Sequence, residues 1–342
     1  MSRAPTEDQA ALVALADDVF AARTTNEQLA KTELSATRVD DALWREAAQA
    51  GLVGAVVPEQ HGGAGLGVEE LCLLAEAQGR RLAPVPLVET AVAALVIAQH
   101  APDDVPARWL PRVIDGTAIL AVALDADVTV DGDRLTGTAG PVPYAHLADA
   151  VLVPIGDALH LVETDGVDRT PVALTDHSLA ADIRLAGAPA TPLAPGAAER
   201  ARALLRLALS AQLLGVADEG VREAAAYVSE REQFGRPLAT FQAVSQQLGD
   251  AYCDVQAMRA TLWQAVWAAE HDPTSAARST AAAVWWATEA GQRVQHVVQH
   301  LHGGIGADTT YPVHRRLLWT LRASAAIGGP TAALAELATG LA

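Results

Sequence analysis

The chain has 342 residues, 51% of them hydrophobic and only 4% aromatic, enough apolar material for a large core built mainly of Ala, Leu and Val. That length suggests about two or three domains. With 41 acidic against 24 basic residues the formal charge is −17, which repels phosphate backbones and argues against nucleic-acid partners; no run is long and apolar enough to span a membrane.

Residues 1–116 read as a helical region. Apolar residues recur at helical spacing over Glu46–Leu52 and Glu69–Leu82. Between them, Val57 to Gly65 reads as a loop from its Pro and Gly content. Residues 83–88 form a second break, and a further helix runs to Trp109, where Leu110-Pro111 ends it. Residues 117–195 change character and read as a small β domain. Val128–Leu135 looks like a hairpin turning at Asp131-Gly132, and Ala150–Ile155 and Ala158–Val162 are strand-like. Residues 191–198 read as a linker.

Residues 196–342 are helical again. Phe241, Val244, Leu248, Ala251, Val255, Met258, Leu262 and Ala265 recur at alternating three- and four-residue steps, the seam of a four-helix bundle. A second long helix starts at Asp272-Pro273, a good cap and first position. Its stripe is Val284, Ala287, Val294, Val297 and Leu301, and Gly303-Gly304 ends it. Cys72 and Cys253 both fall within apolar helical patterns and are expected to be reduced core residues, which suits a cytoplasmic setting. The polar start, Met1 to Asp8, has no signal-peptide pattern. The fold class is therefore mainly α with a small β domain.

Four stretches add a resemblance to the acyl-CoA dehydrogenase family. They are Leu43-Trp44 with Gly51-Leu52, Val57-Pro58-Glu59 and Gly62–Gly65; Trp109-Leu110-Pro111 with Gly116; Arg231–Leu238 followed by Phe241-Gln242; and His302–Gly306 followed by Tyr311–Arg315. The resemblance covers nearly the whole chain. It implies an N-terminal helical domain, a middle β-barrel and a C-terminal four-helix bundle. It also implies FAD, held across a subunit interface by the last two stretches. Arg231 would pair with the pyrophosphate, Phe234 would pack near the adenine, and Gln242 would hydrogen-bond nearby. Gly303 and Gly304 would let backbone approach the cofactor. Family members often carry Gln where this chain has His300, and either His300 or Gln299 could donate there. No metal site is indicated.

The family's reaction needs a carboxylate to remove the α-proton of an acyl-CoA. Its two known positions fall here on Leu205 and Ile327, and neither can accept a proton. The flavin-ring side also departs from the family pattern: Ala121–Asp125 runs almost directly into Val128–Val130, and Thr138–Tyr144 has no Trp. This combination resembles the short, base-less subunits of α2β2 acyl-CoA dehydrogenases of the steroid-degrading type. The resemblance implies a catalytic sister subunit, an acyl-CoA substrate and electron-transfer flavoprotein served through the complex. Two other readings are a self-sufficient homo-oligomer with a relocated base, Asp125 or Asp308, and a non-catalytic acyl-CoA- or protein-binding module.

Overall fold

A computed structural model describes residues 5–339. Six helices come first: α1 (Glu7–Ala21), α2 (Asn26–Glu33), α3 (Asp41–Gln49), α4 (Val68–Arg81), α5 (Leu87–His100) and α6 (Asp104–Ile114). Seven strands follow: β1 (Leu120–Val122), β2 (Ala126–Asp131), β3 (Arg134–Pro143), β4 (Ala150–Ile155), β5 (Ala158–Glu163), β6 (Asp168–Ala173) and β7 (Leu179–Pro192). The remainder is α7 (Ala197–Glu230), a minimal hairpin of β8 (Glu232–Gln233) and β9 (Arg236–Pro237), α8 (Gln242–His271), α9 (Pro273–His302), α10 (Val313–Ala326) and α11 (Gly329–Thr339).

The chain divides into two compact units. One comprises Ala14–Leu74 and Pro84–Leu205. Its strands form one curled seven-stranded sheet in the order β1-β4-β5-β7-β3-β2, with β6 also paired to β7. Strand β7 is the hinge of this sheet. It pairs antiparallel with β3 over Ala180–Pro189, with β6 over Leu179–Arg184 and with β5 over Ala190–Pro192. Ala121, Leu135, Val151, Val153, Val162, Ile183 and Leu185, all nearly inaccessible, form the sheet's core cluster. The second unit comprises, among the described residues, 5–13, Ala75–Ala83 and 206–339. Its core is lined by α7, α8 and α9.

Local signals explain several boundaries. Asp40 caps α3 by accepting from the Ala42 and Leu43 amides, so this helix starts earlier than the apolar spacing implied and ends before Gly51, whose φ is +79°. Asp272 accepts from the Thr274 amide and Pro273 occupies the first position of α9, while Gly303 ends that helix at φ +62°; both ends match the sequence reading.

Pro111 does not end a helix: α5 and α6 are separate helices, and α6 continues through Pro111 to Ile114. A proline this near the C-terminus forfeits little of the ladder, and the actual stop is Gly116 at φ +68°. The hairpin turns one residue later than expected, because Asp131 pairs with Arg134 and leaves Gly132-Asp133 as the loop. Cys253 is exposed, since it lies off the seam of α8; Cys72 is buried as expected. The seam itself is buried only from Ala251 onward, and Phe241, Val244 and Leu248 remain half-exposed.

Candidate cofactor-facing surface

Arg231 immediately follows α7. Its amide donates to the Tyr227 carbonyl at 2.8 Å, and its carbonyl accepts from the Leu238 amide at 2.8 Å. The backbone is thus fixed, while the side chain is exposed and, among the described residues, forms no ion pair. The β8–β9 hairpin turns through Phe234-Gly235, with φ +54° and +78°. Positive φ at both central residues is the pattern of a I′ turn, which favours Asn-Gly. A phenylalanine there stores strain, on the order of 1–3 kcal/mol. Phe234 is nevertheless 91% exposed. Its ring meets only the edge of Phe241 (6.1 Å between centroids), over which the Arg236 guanidinium sits at 4.1 Å. Gln242 opens α8 and is exposed.

The second stretch lies at the end of α9. His300 is exposed and lines a shallow depression of about 460 Å³ with Gln247, Gln292 and His296. Gln299 is engaged internally, its Nε2 donating to the Gly306 carbonyl, which leaves His300 as the outward-facing group of the two. Gly303 and Gly304 are exposed and begin a short 3-10 turn, Gly303–Ala307. A Cβ at Gly304 would meet nothing within 4 Å, and its φ is not positive. Neither backbone nor neighbours require glycine there. That open cradle suits close approach of an external group, and an exposed Arg beside an exposed aromatic suits an anionic, planar ligand. The residues present therefore fit the tail of a dinucleotide such as FAD.

Both candidate base positions are apolar and buried: Leu205 in α7 is 3% exposed, and Ile327, just after α10, is 7% exposed. On the sheet, Asp125 is exposed in the short link between β1 and β2. Strand β3 carries no Trp, and Tyr144, just past it, is buried at φ +57°. Asp308 is exposed; hydrogen bonds from the Thr310 amide and hydroxyl, both 2.8 Å, hold its carboxyl below the usual range. No group of three or more metal-ligating side chains occurs among the described residues. Nor is any described helix long and apolar enough to cross a membrane.

A second cluster, absent from the sequence reading, joins α4, α7 and α8. The Arg259 guanidinium reaches Glu76 at 2.8 Å and Asp218 at 3.4 Å, Arg80 pairs with Glu76 and Arg222 with Asp218. Burial works against the charge of Arg259, but the two carboxylates more than offset it and raise its pKa. The sequence offered only a weak signal for this cluster, acidic residues standing on apolar helix faces.

The chain is thus a helical region, a curled sheet and a second helical region that carries the outward-facing Arg231, Phe234 and Gly303-Gly304. Residues 6–117 match the acyl-CoA dehydrogenase N-terminal domain and residues 197–338 the acyl-CoA dehydrogenase C-terminal domain. The chain is 36% identical to the acyl-CoA dehydrogenase FadE27 of Mycobacterium tuberculosis, with 98% of each chain covered. Among solved structures it resembles the Tcur3481-Tcur3483 steroid ACAD G363A variant, at 43% identity, TM-score 0.93 and 97% coverage of each chain. It also resembles the ChsE4-ChsE5 complex from Mycobacterium tuberculosis, at 36% identity, TM-score 0.94 and coverage of 100% of this chain and 99% of that one. The chain belongs to the acyl-CoA dehydrogenase family of FAD-dependent oxidoreductases.

Proposed function

We propose that this chain is the base-less subunit of a heteromeric acyl-CoA dehydrogenase, holding the tail of FAD for a catalytic sister subunit. One contrast carries the reading. The groups suited to a cofactor tail, Arg231, Phe234, His300 and Gly303-Gly304, are exposed, whereas both base positions, Leu205 and Ile327, are buried hydrocarbon. General-base catalysis contributes about 10²–10⁴-fold, so a site without a carboxylate cannot sustain the family's reaction.

In this reading Arg231 pairs with the pyrophosphate, Phe234 covers the adenine, Gln242 and His300 hydrogen-bond to the tail, and the Gly303-Gly304 backbone approaches it. Bound FAD would accept the β-hydride of a CoA thioester. The sister subunit supplies the carboxylate that removes the α-proton, and electron-transfer flavoprotein reoxidises the complex. The relatives named as steroid ACAD and as a two-protein complex support both the heteromeric assembly and a steroid-derived acyl group. Neither Cys72 nor Cys253 is in a disulfide, which agrees with a cytoplasmic enzyme.

The test is co-expression of this chain with a sister that carries Glu at one of the base positions. The purified chain alone should be colourless and should not reduce an electron acceptor with any acyl-CoA. The complex should be yellow and active. A yellow homo-oligomer that turns over by itself would refute the reading.

A further inference from the structure

The two cofactor-facing stretches are about seventy residues apart in sequence, yet one FAD tail must meet both in fixed register. A cluster of rings joins their roots. His302, the last residue of α9, is 4% exposed. Tyr227, in the last turn of α7, stacks on it with centroids 4.5 Å apart and planes at 24°. Tyr311 packs against the same imidazole at 5.5 Å and 51°. His302 Nδ1 lies 2.7 Å from the Val298 carbonyl. A carbonyl can only accept, so Nδ1 carries the proton, and both the tautomer and the ring plane are fixed.

Each stacked residue is one step from a cofactor-facing stretch. Tyr227 accepts the Arg231 amide through its carbonyl, at 2.8 Å. His302 is bonded directly to Gly303. The turn beyond is tied back as well. Gln299 donates to the Gly306 carbonyl, and a Cβ on Gly306 would stand 2.8 Å from the Gln299 carbonyl oxygen. A core histidine filling space would need neither the directed Nδ1 bond nor two aromatic partners anchored on different segments.

We propose that His302 is a positioning residue for the cofactor: stacked between Tyr227 and Tyr311, it clamps the Gly303-Gly304 turn to the end of α7, so that the turn and Arg231 present a single FAD-tail site. This rests on the reading that both stretches meet that tail. Burial, with Glu223 and Tyr227 nearby, pushes the Tyr311 hydroxyl up, so this partner keeps its proton.

The experiment is a mutant cycle on the complex with the sister subunit, read as the FAD dissociation constant of the apo-complex by flavin fluorescence. His302→Ala should weaken FAD about ten-fold, and His302→Phe, which keeps the stack, should recover most of that loss. His302→Ala combined with Arg231→Ala should weaken FAD by clearly less than the product of the single losses, because both act on one site. Losses that multiply, or a Phe variant no better than Ala, would overturn the clamp. A loss in Arg231→Ala with none in His302→Ala refutes this inference alone. No loss in Arg231→Ala refutes the cofactor reading, and the clamp with it. Should His302→Ala fail to fold, Tyr227→Leu removes the stacking partner and repeats the cycle.

Discussion

Arginine and glycine occur together at two places in the second unit, and they are accounted for in opposite ways. At the α4–α7–α8 cluster every charge has a counterpart: Arg259 is held by Glu76 and Asp218. The glycines there are equally committed. A Cβ at Gly79 would fall 2.0 Å from the Gln212 carbonyl oxygen, and one at Gly215 would fall 2.0 Å from that of Glu76. At the surface of Arg231 and Gly304 the same residue types have no such internal reason. Arg231 has no carboxylate, Gly304 faces open space and Phe234 holds a strained backbone while exposed. Residue type alone does not separate structure from function; what the rest of the chain does with the residue does.

The largest effect on stability that would sharpen this contrast is Gly215→Ala. Inside a helix Ala is normally better than Gly by about 1 kcal/mol. Here the added carbon meets backbone rather than a flexible side chain, so overpacking near its upper range of about 3 kcal/mol applies. Overpacking wins, and a net destabilisation of about 2 kcal/mol is expected in urea melts. A neutral or stabilising result would show that α4 and α7 separate without difficulty.

Next is Arg231→Ala. A surface arginine without a partner is worth less than about 0.5 kcal/mol to the fold, so circular dichroism and the melting temperature should be unchanged. Flavin in the complex should suffer more: a charged hydrogen bond left unmade costs about 1.5–3 kcal/mol, roughly ten- to more than a hundred-fold in affinity. Arg231→Lys should rescue only in part, because an ammonium cannot grip two oxygens with a planar fork. Flavin absorbance per complex after gel filtration reads the outcome, and full occupancy in the Ala variant would return Arg231 to the class of solvated helix-end residues. Gly304→Leu should act the same way but more weakly, with an unchanged melting temperature and about ten-fold weaker FAD. If instead it unfolds the chain, the open space at Gly304 is illusory and the contrast with Gly215 disappears.

How far each region was legible in the sequence follows from the same distinction. The limits of α9 were readable because Asp272-Pro273 and Gly303 act locally, through a cap and a positive φ. Strand β7 was not. Its sequence, rich in Ala, Gly and Pro, has poor strand propensity, and it is held by neighbours on both edges, β3 on one and β5 and β6 on the other. The expected Pro111 stop failed because one lost hydrogen bond near a helix end is a small term. At the surface, the residue types of Arg231, Phe234 and Gly303-Gly304 were legible from motif resemblance. Their exposure and the strain at Phe234 were not, nor was the stacking of Tyr227 on His302, two rings that no local pattern relates.

The smallest effect concerns Asp308, the residue that would restore self-sufficiency if the base had moved. An exposed carboxylate that accepts two hydrogen bonds from Thr310 has its pKa lowered, by the Thr310 amide first and its hydroxyl second. A base for α-proton removal gains from the opposite shift, toward the operating pH. Asp308→Asn keeps an acceptor for the Thr310 amide and removes any capacity to take a proton, so turnover of the complex should change less than about two-fold, against the 10²–10⁴-fold expected of a general base. The pH behaviour has a definite sign as well. Because the folded pKa lies below the unfolded value of about 3.9, the stabilisation from this turn is present above that value and is lost as pH falls through the folded pKa. The Thr310 amide resonance, followed by NMR from pH 6 downward, should therefore titrate with a midpoint below the ordinary carboxylate value. A Thr310 titration centred above pH 5, or a complex silenced by Asp308→Asn, would make Asp308 the base and this chain a dehydrogenase in its own right.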